Sequence, residues 1–305
     1  MDSYLFNIEN NDVGLRIDKY ISNKLPDYSR SFIQKLIKEN QLSVNDKSIK
    51  SNYKLRRNDI IKIIIEEAEE LIIQPENIPL DILYEDEDVI LINKPQGMVV
   101  HPAPGHYSGT LVNALMYHCK DNLSNINGDM RPGIVHRIDK DTSGVLIACK
   151  NNVSHENIVE QLKEHSITRK YNAIVYNNIK NDEGVIDKPI GRHPVNRKRM
   201  AINPVNGKEA VTHYKVLERI NQYTYVELKL ETGRTHQIRV HMTSINHPLL
   251  GDPVYGPRND RFKLKGQVLH ARVLGFVHPK TKEYMEFEAP LPNYFTGILS
   301  KLRNM

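Results

Sequence analysis

A short acidic run divides this chain into two stretches with different patterns of predicted secondary structure. The run EEAEE at 66–70 is followed by Pro75 and Pro79, a composition typical of an exposed linker. Before it lie two helix-like segments and a few short strand-like ones, whereas strand patterns dominate after it. The 305 residues also exceed the usual single-domain range. We therefore predict two domains, at 1–68 and 81–305, joined by a linker at 69–80.

The first stretch combines two amphipathic helices with short strands. Apolar residues recur at helical spacing in two segments, and Ser29 stands before the second as a candidate N-cap. Strand-like pieces follow at 42–44 and 60–65, with a turn at 45–47. These patterns predict a compact module with a modest core. The two apolar helix faces comprise Leu15, Ile17, Tyr20 and Ile21, then Phe32, Ile33, Leu36 and Ile37.

Three strings of this first stretch carry a resemblance. GLRIDKYI, DYSRSFIQKLIKENQLSVND and LRRNDIIKI, in this order, resemble an S4 RNA-binding domain. The resemblance implies that RNA binds to the basic helix face, and from its cations we single out Arg30, Lys35 and Arg57. For isolated lysines, the alternative interpretation is a solvated helix face that binds nothing.

The second stretch is rich in strand patterns and shows no regular alternation of strands with helices. This pattern of strands and helices predicts an α+β fold with a mixed, largely antiparallel sheet and flanking helices. The predicted strands are 89–92, 145–148, 171–176, 223–230 and 285–287, and the predicted helices are 111–118, 157–165 and 237–244.

A polar loop before the strand at 145–148 is the most informative segment. In RPGIVHRIDKDTSGVLIACK, residues 131–150, Asp139 is flanked by His136 and Arg137 and bracketed by glycines. Nearby cations keep a carboxylate ionised, and such a carboxylate serves as a nucleophile or a base. The alternative is a structural loop in which Asp139 caps a turn and pairs with Arg137. These residues alone leave the two interpretations level.

A second segment places two arginines near a strand end. In LETGRTHQIRVHM, residues 230–242, Arg234 and Arg239 follow the strand at 223–230 and enter a helical pattern. One of them is expected to pair with Asp139, and the other to hold a phosphate with two hydrogen bonds. An ordinary basic surface helix is the alternative.

Two further segments complete the set. In TRKYNAIV, residues 168–175, Tyr171 begins a strand as either a packed aromatic or a platform for a planar base. NKPQGMVVHPAPG, residues 93–105, predicts a rigid loop with His101 near the site. His101 and His106 lack metal-ligand spacing, so structural or solvent-exposed histidines are the default interpretation. Cys119 and Cys149 form no CxxC motif. We therefore predict neither a metal site nor a disulfide.

These four segments, together with HPLLGDPVYG at 247–256, resemble an RluA-family pseudouridine synthase of the RluD type, which acts on large-subunit ribosomal RNA. With the S4 strings, the resemblance covers nearly the whole chain. Its motifs imply that Asp139 is the catalytic aspartate and that Arg239 pairs with it. They imply that Tyr171 is a catalytic residue that stacks on the target base and serves in proton removal. They also imply that Arg137 fills the gap left by the flipped nucleotide. We add a set of RNA-binding candidates, namely His136, Arg234, Arg192 and Arg199, with Arg197 and Lys198 beside the last.

The resemblance also sets expectations about partners. Isomerisation of uridine needs no cofactor, and the net charge of +5 suits a polyanionic partner. We expect a monomeric cytoplasmic enzyme that binds large-subunit ribosomal RNA or a pre-ribosomal particle and has no membrane partner. A synthase acting on transfer RNA and a non-catalytic RNA-binding assembly factor remain as alternatives.

Overall fold

The computed structural model describes residues 2–65, 73–103, 105–128, 130–196, 199–257 and 261–305. The chain separates into two compact units, Met1–Leu71 and Ile72–Met305. The acidic run at 66–70 lies outside the described residues. Part of the predicted linker packs with the second unit, because Ile73 is buried in its core and the Asn113 side chain donates to the Gln74 carbonyl at 2.8 Å.

The first unit packs two helices against a four-stranded sheet in the order β1-β4-β2-β3. Both helices and the strands at 42–44 and 60–65 agree with the sequence prediction, and Ser29 Oγ accepts the Phe32 amide at 3.3 Å as a helix N-cap. The prediction missed β1, which pairs antiparallel with β4. The elements are β1 (Asp2–Asn7), α1 (Ile17–Lys24), α2 (Arg30–Lys38), β2 (Leu42–Val44), β3 (Lys47–Ser48) and β4 (Ile60–Ile65).

The second unit contains the remaining strands and four helices among its described residues. Its strands are β5 (Ile82–Glu85), β6 (Val89–Lys94), β7 (Ser143–Cys149), β8 (Thr168–Tyr176), β9 (Glu183–Asp187), β10 (Ile190–Arg192), β11 (Met200–Ile202), β12 (Val211–Ile220), β13 (Tyr223–Leu230), β14 (Leu269–Val277) and β15 (Tyr284–Glu288). Its helices are α3 (Leu111–Cys119), α4 (Asn152–Lys163), α5 (Gln237–Ser244) and α6 (Asn293–Arg303).

Nine of these strands form one mixed sheet. Its order is β5-β6-β7-β14-β8-β13-β12-β9, with β15 paired to β14, and β10 and β11 form a separate hairpin. Among the described pairs of the large sheet, only β7 with β14 is parallel. The predicted mixed, largely antiparallel sheet of an α+β fold is therefore confirmed. β7 is buried along its whole length, which places the loop before it and the strand beside it at the centre of the unit.

The prediction was wrong at one helix boundary and missed several elements of this unit. α4 begins at Asn152 rather than 157, because the Asn151 side chain caps it by accepting the Ser154 amide at 2.9 Å. α6 and the strands β5, β9 to β12 and β14 had not been predicted. Alternation in β12 is blurred because one of its faces is only half-buried.

A buried histidine joins the two parallel strands. Ser143 on β7 and His270 on β14 are register partners, and Ser143 Oγ lies 2.9 Å from His270 Nδ1. His270 is fully buried, and burial lowers its pKa to about 4. The folded protein therefore carries a neutral His270 at neutral pH.

This histidine predicts a loss of stability in acid. An unfolded histidine binds a proton below about pH 6.5, whereas folded His270 does not until about pH 4. His270 therefore leaves the free energy of unfolding unchanged above about pH 6.5. Between about pH 6.5 and pH 4 it lowers that free energy by about 1.4 kcal/mol for each unit by which the pH falls. Urea unfolding at pH 7 and pH 5 should show a stability loss about 2 kcal/mol smaller in His270→Asn than in the wild type. Equal losses in the two proteins would contradict this assignment.

Candidate active site

Asp139 lies on the loop that leads into β7. Gly144, at the start of that strand, has a φ of +112°, and a Cβ there would lie 2.1 Å from the Ala271 carbonyl oxygen on β14. Only glycine allows such a close approach. The loop is thereby anchored to the centre of the sheet, and the Asp139 side chain is 20% exposed.

Arg239 on α5 joins Asp139 to a second carboxylate. Its Nη1 donates to Asp139 Oδ2 at 2.9 Å. Its Nε and Nη2 donate to Asp252 Oδ2 and Oδ1 at 2.7 and 2.9 Å, so Asp252 holds the guanidinium with two parallel hydrogen bonds. Of the two arginines considered for this pairing, the structure places Arg239 against Asp139. The sequence analysis missed the role of Asp252, although it named the segment at 247–256 that contains this residue.

Asp139, Arg239 and Asp252 form a triad in which each opposite charge stabilises the ionised form of its neighbour. Burial alone lowers the pKa of Arg239, but the hydrogen bonds and charges of Asp252 and Asp139 outweigh it and raise that pKa above its ordinary value. Burial alone raises the pKa of Asp252, but Arg239 outweighs it and lowers that pKa. Arg239 is therefore a permanent cation 2.9 Å from the Asp139 carboxylate.

Tyr255 supports the arginine from one side. Its ring lies 5.1 Å from the guanidinium carbons of both Arg239 and Arg199. Its hydroxyl accepts the Met200 amide at 2.8 Å and lies 2.9 Å from His236 Nδ1. Stacking on an aromatic face fixes the plane of a guanidinium, so Arg239 has little freedom to leave Asp139.

A cavity of about 530 Å³ opens beside this pair. Asp139, Tyr171 and Arg239 all line it, together with Arg137, His136 and Arg234. Tyr171 is 8% exposed on β8, and burial raises its pKa, so its hydroxyl stays protonated at neutral pH. The structure thus brings together the residues expected at a catalytic site from three distant segments.

Arg137 is exposed at this cavity and contacts a buried histidine. Its Nη1 lies 3.3 Å from His101 Nε2. Burial first, and then the charge of Arg137, lower the pKa of His101 to about 4, so this ring is neutral and can accept from the arginine. The sequence had left His101 as structural or solvent-exposed, and the structure buries it against Arg137.

His136 has a different environment from the one expected of an RNA-binding cation. Its Nε2 accepts the Ile147 amide at 3.2 Å, which leaves the ring proton on Nδ1. Burial, with a smaller effect of Arg169, lowers its pKa to about 3. His136 is therefore neutral, and any contact with RNA is through an uncharged ring.

Lys94 is a buried lysine that the sequence analysis missed. Its side chain is fully buried at the end of β6, and its Nζ donates to the carbonyls of Pro95, Met98 and Lys140 at 2.9 to 3.0 Å. Burial lowers its pKa to about 7, against the opposing charges of Asp141 and Asp139. Because Lys140 follows Asp139 directly, Lys94 ties the loop that contains Asp139 to the segment at 95–98.

The other predicted cations of this unit are less enclosed. Arg234 lines the cavity, and its Nε donates to the Glu209 carbonyl at 2.8 Å. Arg192 is exposed at the end of β10, and Arg199 stacks on Tyr255. Arg197 and Lys198 lie outside the described residues.

In the first unit, a buried carboxylate organises the predicted RNA-binding face. Asp18 is fully buried and accepts from Arg16, Arg30 and Gln34. Burial raises its pKa, but these hydrogen bonds outweigh it and lower the pKa to about 2. Arg30 therefore pairs with Asp18 inside the protein, while about half of its side chain stays exposed to solvent. Lys35 and Arg57 are exposed, with Lys35 Nζ 3.9 Å from Glu39.

Two groups of side chains have the spacing of metal ligands. Asp86, Asp88 and His278 form one, and Glu85, His118 and Cys119 form the other. The Asp86 carboxylate already accepts from His278, Tyr84 and two backbone amides at 2.8 Å. Hydrogen bonds within the protein therefore account for this geometry without an ion. Among the described helices, none is long and apolar enough to cross a membrane.

Comparisons with known proteins agree with this geometry. A family model described as RNA pseudouridylate synthase matches residues 88–244, and an S4 domain model matches residues 15–61. An uncharacterized RNA pseudouridine synthase of Bacillus subtilis, YlyB, is 54% identical over 288 residues, covering 94% of this chain and 94% of the relative. Ribosomal large subunit pseudouridine synthase D of Escherichia coli is 41% identical, covering 97% of this chain and 93% of the relative.

A solved structure is also similar to most of this chain. Human RNA pseudouridylate synthase domain containing 1 superposes with a TM-score of 0.57 at 25% identity, over 79% of this chain and 98% of that one.

Proposed function

Because the chain belongs to the RNA pseudouridylate synthase family and carries an S4 domain, we propose that it isomerises specific uridines of large-subunit ribosomal RNA, with Asp139 as the catalytic carboxylate. The observation that carries this proposal is the contact between Arg239 and Asp139, at 2.9 Å, on the wall of a cavity that also contains Tyr171. A protein that only binds RNA needs no carboxylate facing its ligand, since acidic groups repel phosphate.

The reaction requires an ionised carboxylate at the nucleoside. Pseudouridine forms when the bond from C1′ to N1 breaks and a bond from C1′ to C5 replaces it. Asp139 attacks C1′, attacks C6 or removes the C2′ proton, and each of these routes starts from the carboxylate form. Arg239 supplies a positive charge 2.9 Å from this carboxylate, and such a charge favours the ionised form of a carboxyl group.

The target nucleotide must leave its stack to reach Asp139. Unstacking costs a few kcal/mol, and inserted or stacking side chains offset this cost. Arg137, exposed beside the cavity, has the position to fill the gap in the RNA. Tyr171, on the cavity wall, has the position to stack on the extruded base.

The basic residues outside the cavity are proposed to hold the RNA backbone. Arg192, Arg199 and Arg234 would do so in the second unit, and Arg30, Lys35 and Arg57 in the first. Binding through these cations should weaken steeply with salt. We expect the enzyme to act as a monomer in the cytoplasm.

The choice of ribosomal RNA rests on relatives named ribosomal large subunit pseudouridine synthase D, which are 41% to 47% identical to this chain. The test is to map pseudouridine in ribosomal and transfer RNA from a strain lacking this gene, complemented with wild-type or Asp139→Asn protein. We expect pseudouridine to disappear from one or a few sites in large-subunit RNA and to return only with the wild type. Loss confined to transfer RNA would overturn the substrate, and no loss anywhere would overturn the activity.

A further inference from the structure

Arg169 is a buried cation that the function described so far does not use. It lies on β8, is 7% exposed and lines the same cavity as Asp139. Its Nη2 donates to the Glu231 backbone carbonyl at 2.7 Å, and its Nε has no hydrogen-bond partner among the described residues. Burial lowers its pKa, which reflects the cost of charge at this depth. Buried arginines are ordinarily paired with a carboxylate.

No carboxylate of the described residues pairs with Arg169. Arg169 contacts Glu231 through the backbone carbonyl, and the Glu231 side chain has its Oε1 2.5 Å from His213 Nε2 instead. Gly233 leaves the space that the guanidinium occupies, because a Cβ there would lie 2.7 Å from Arg169 Nη1. The buried guanidinium of Arg169 therefore has room but no carboxylate partner among the described residues. Such an arrangement lowers the stability of the fold unless a bound ligand supplies the partner.

The position of Arg169 indicates what that ligand is. Arg169 and Tyr171 are two residues apart on one strand, so their side chains lie on the same face of the sheet. The charge of Arg169 also acts on the Tyr171 hydroxyl. Arg169 is more enclosed than the Asp139 side chain, which is 20% exposed. Phosphates of an extruded nucleotide stay with the chain at the mouth of the cavity, whereas the base enters deepest.

We propose, on the basis of the function above, that Arg169 binds the uracil ring and stabilises the negative charge that the ring acquires during isomerisation. When the C1′–N1 bond breaks, its electron pair remains on the ring and is shared with the two ring carbonyl oxygens. The ring then bonds through C5 to C1′, C5 loses its proton and N1 gains one, so that atoms and charge balance. A fixed cation in a water-poor site stabilises such a developing charge and keeps the detached ring from leaving.

The test compares two variants of similar side-chain length. Arg169→Lys keeps a positive charge and Arg169→Met removes it. We expect both to bind target RNA within about threefold of the wild-type Kd, because backbone phosphates dominate RNA affinity. The single-turnover rate of pseudouridine formation should fall by about 10²- to 10³-fold in Arg169→Met. Arg169→Lys should keep a larger share of the rate. The Tm of Arg169→Met should equal or exceed that of the wild type, since an unpaired buried charge has been removed.

A second substrate separates charge stabilisation from a structural role. Fluorine at C5 withdraws electrons and helps the ring to carry negative charge, but it leaves no C5 proton to lose. The readout is therefore consumption of the target 5-fluorouridine in a single turnover, followed by nuclease digestion and mass spectrometry, and on this substrate the rate defect of Arg169→Met should shrink. Equal rates in Arg169→Met and wild type would overturn the inference alone. A weakened Kd with a smaller salt dependence would assign Arg169 to a phosphate instead. A wild-type protein inactive on every RNA tested would overturn the proposed function and, with it, this inference.

Discussion

Asp139→Asn is expected to reduce pseudouridine formation by about 10⁴-fold or more, the scale seen when an enzyme loses its central catalytic group. Asparagine has the same shape and still accepts a hydrogen bond from Arg239, but it carries no charge and is a poor nucleophile and base. The dissociation constant for RNA should stay within about threefold, because phosphate contacts elsewhere supply most of the affinity. Tritium release from C5-labelled uridine and filter binding measure the two quantities separately.

The matched control is Asp141→Asn, the same substitution two residues along the same loop. Asp141 is half-buried, and burial raises its pKa, but it does not belong to the cavity wall that Asp139 shares with Arg239. Its variant should keep activity within about tenfold of the wild type, as expected for a residue outside the reacting geometry. Near-normal tritium release from Asp139→Asn, or equal losses in both variants, would remove Asp139 from its proposed role.

Local patterns predicted those elements whose own residues determine their structure. α5 and β13 have the predicted bounds, Gln237–Ser244 and Tyr223–Leu230, because a turn separates a strand-like run from a helical one. Ser29 caps α2 as expected, since capping depends on residues three positions apart. The pairing of Arg239 with Asp139 followed from a family resemblance rather than from spacing, because 100 residues separate them.

The missing parts of the site depend on contacts that no local pattern contains. Lys94 reads as an ordinary polar residue at the end of a strand until Lys140 is brought to it across 46 residues. Asp252 lies in a turn, where acidic residues are common, and only the fold places it against Arg239. Arg169 shares a face of β8 with Tyr171, but a lone arginine in a strand is ordinarily solvated, and its burial comes from the packing around the cavity. The surroundings of all three residues therefore depend on tertiary contacts between segments that are far apart in the sequence.

Arg239→Met is expected to damage stability and activity together. Asp252 is fully buried, and removing its partner leaves an uncompensated carboxylate, a loss that costs about 3–5 kcal/mol. Asp139 loses its cation at the same time, so the rate of pseudouridine formation should fall by at least about 10²-fold. Urea unfolding and tritium release measure these effects, with the unfolding done at pH 7, where Asp252 is ionised.

A second substitution separates the two effects. Asp252→Asn removes the buried charge but retains Oδ1, which accepts the Val254 and Tyr255 amides at 2.8 and 3.0 Å. Adding Asp252→Asn to Arg239→Met should therefore recover more than half of the lost stability, because a neutral amide needs no cation. Activity should stay as low as in the single variant, because Asp139 still lacks its guanidinium. If the double variant regained activity, Arg239 would act only by neutralising Asp252; if Arg239→Met were as stable as the wild type, the buried pair would have no structural role.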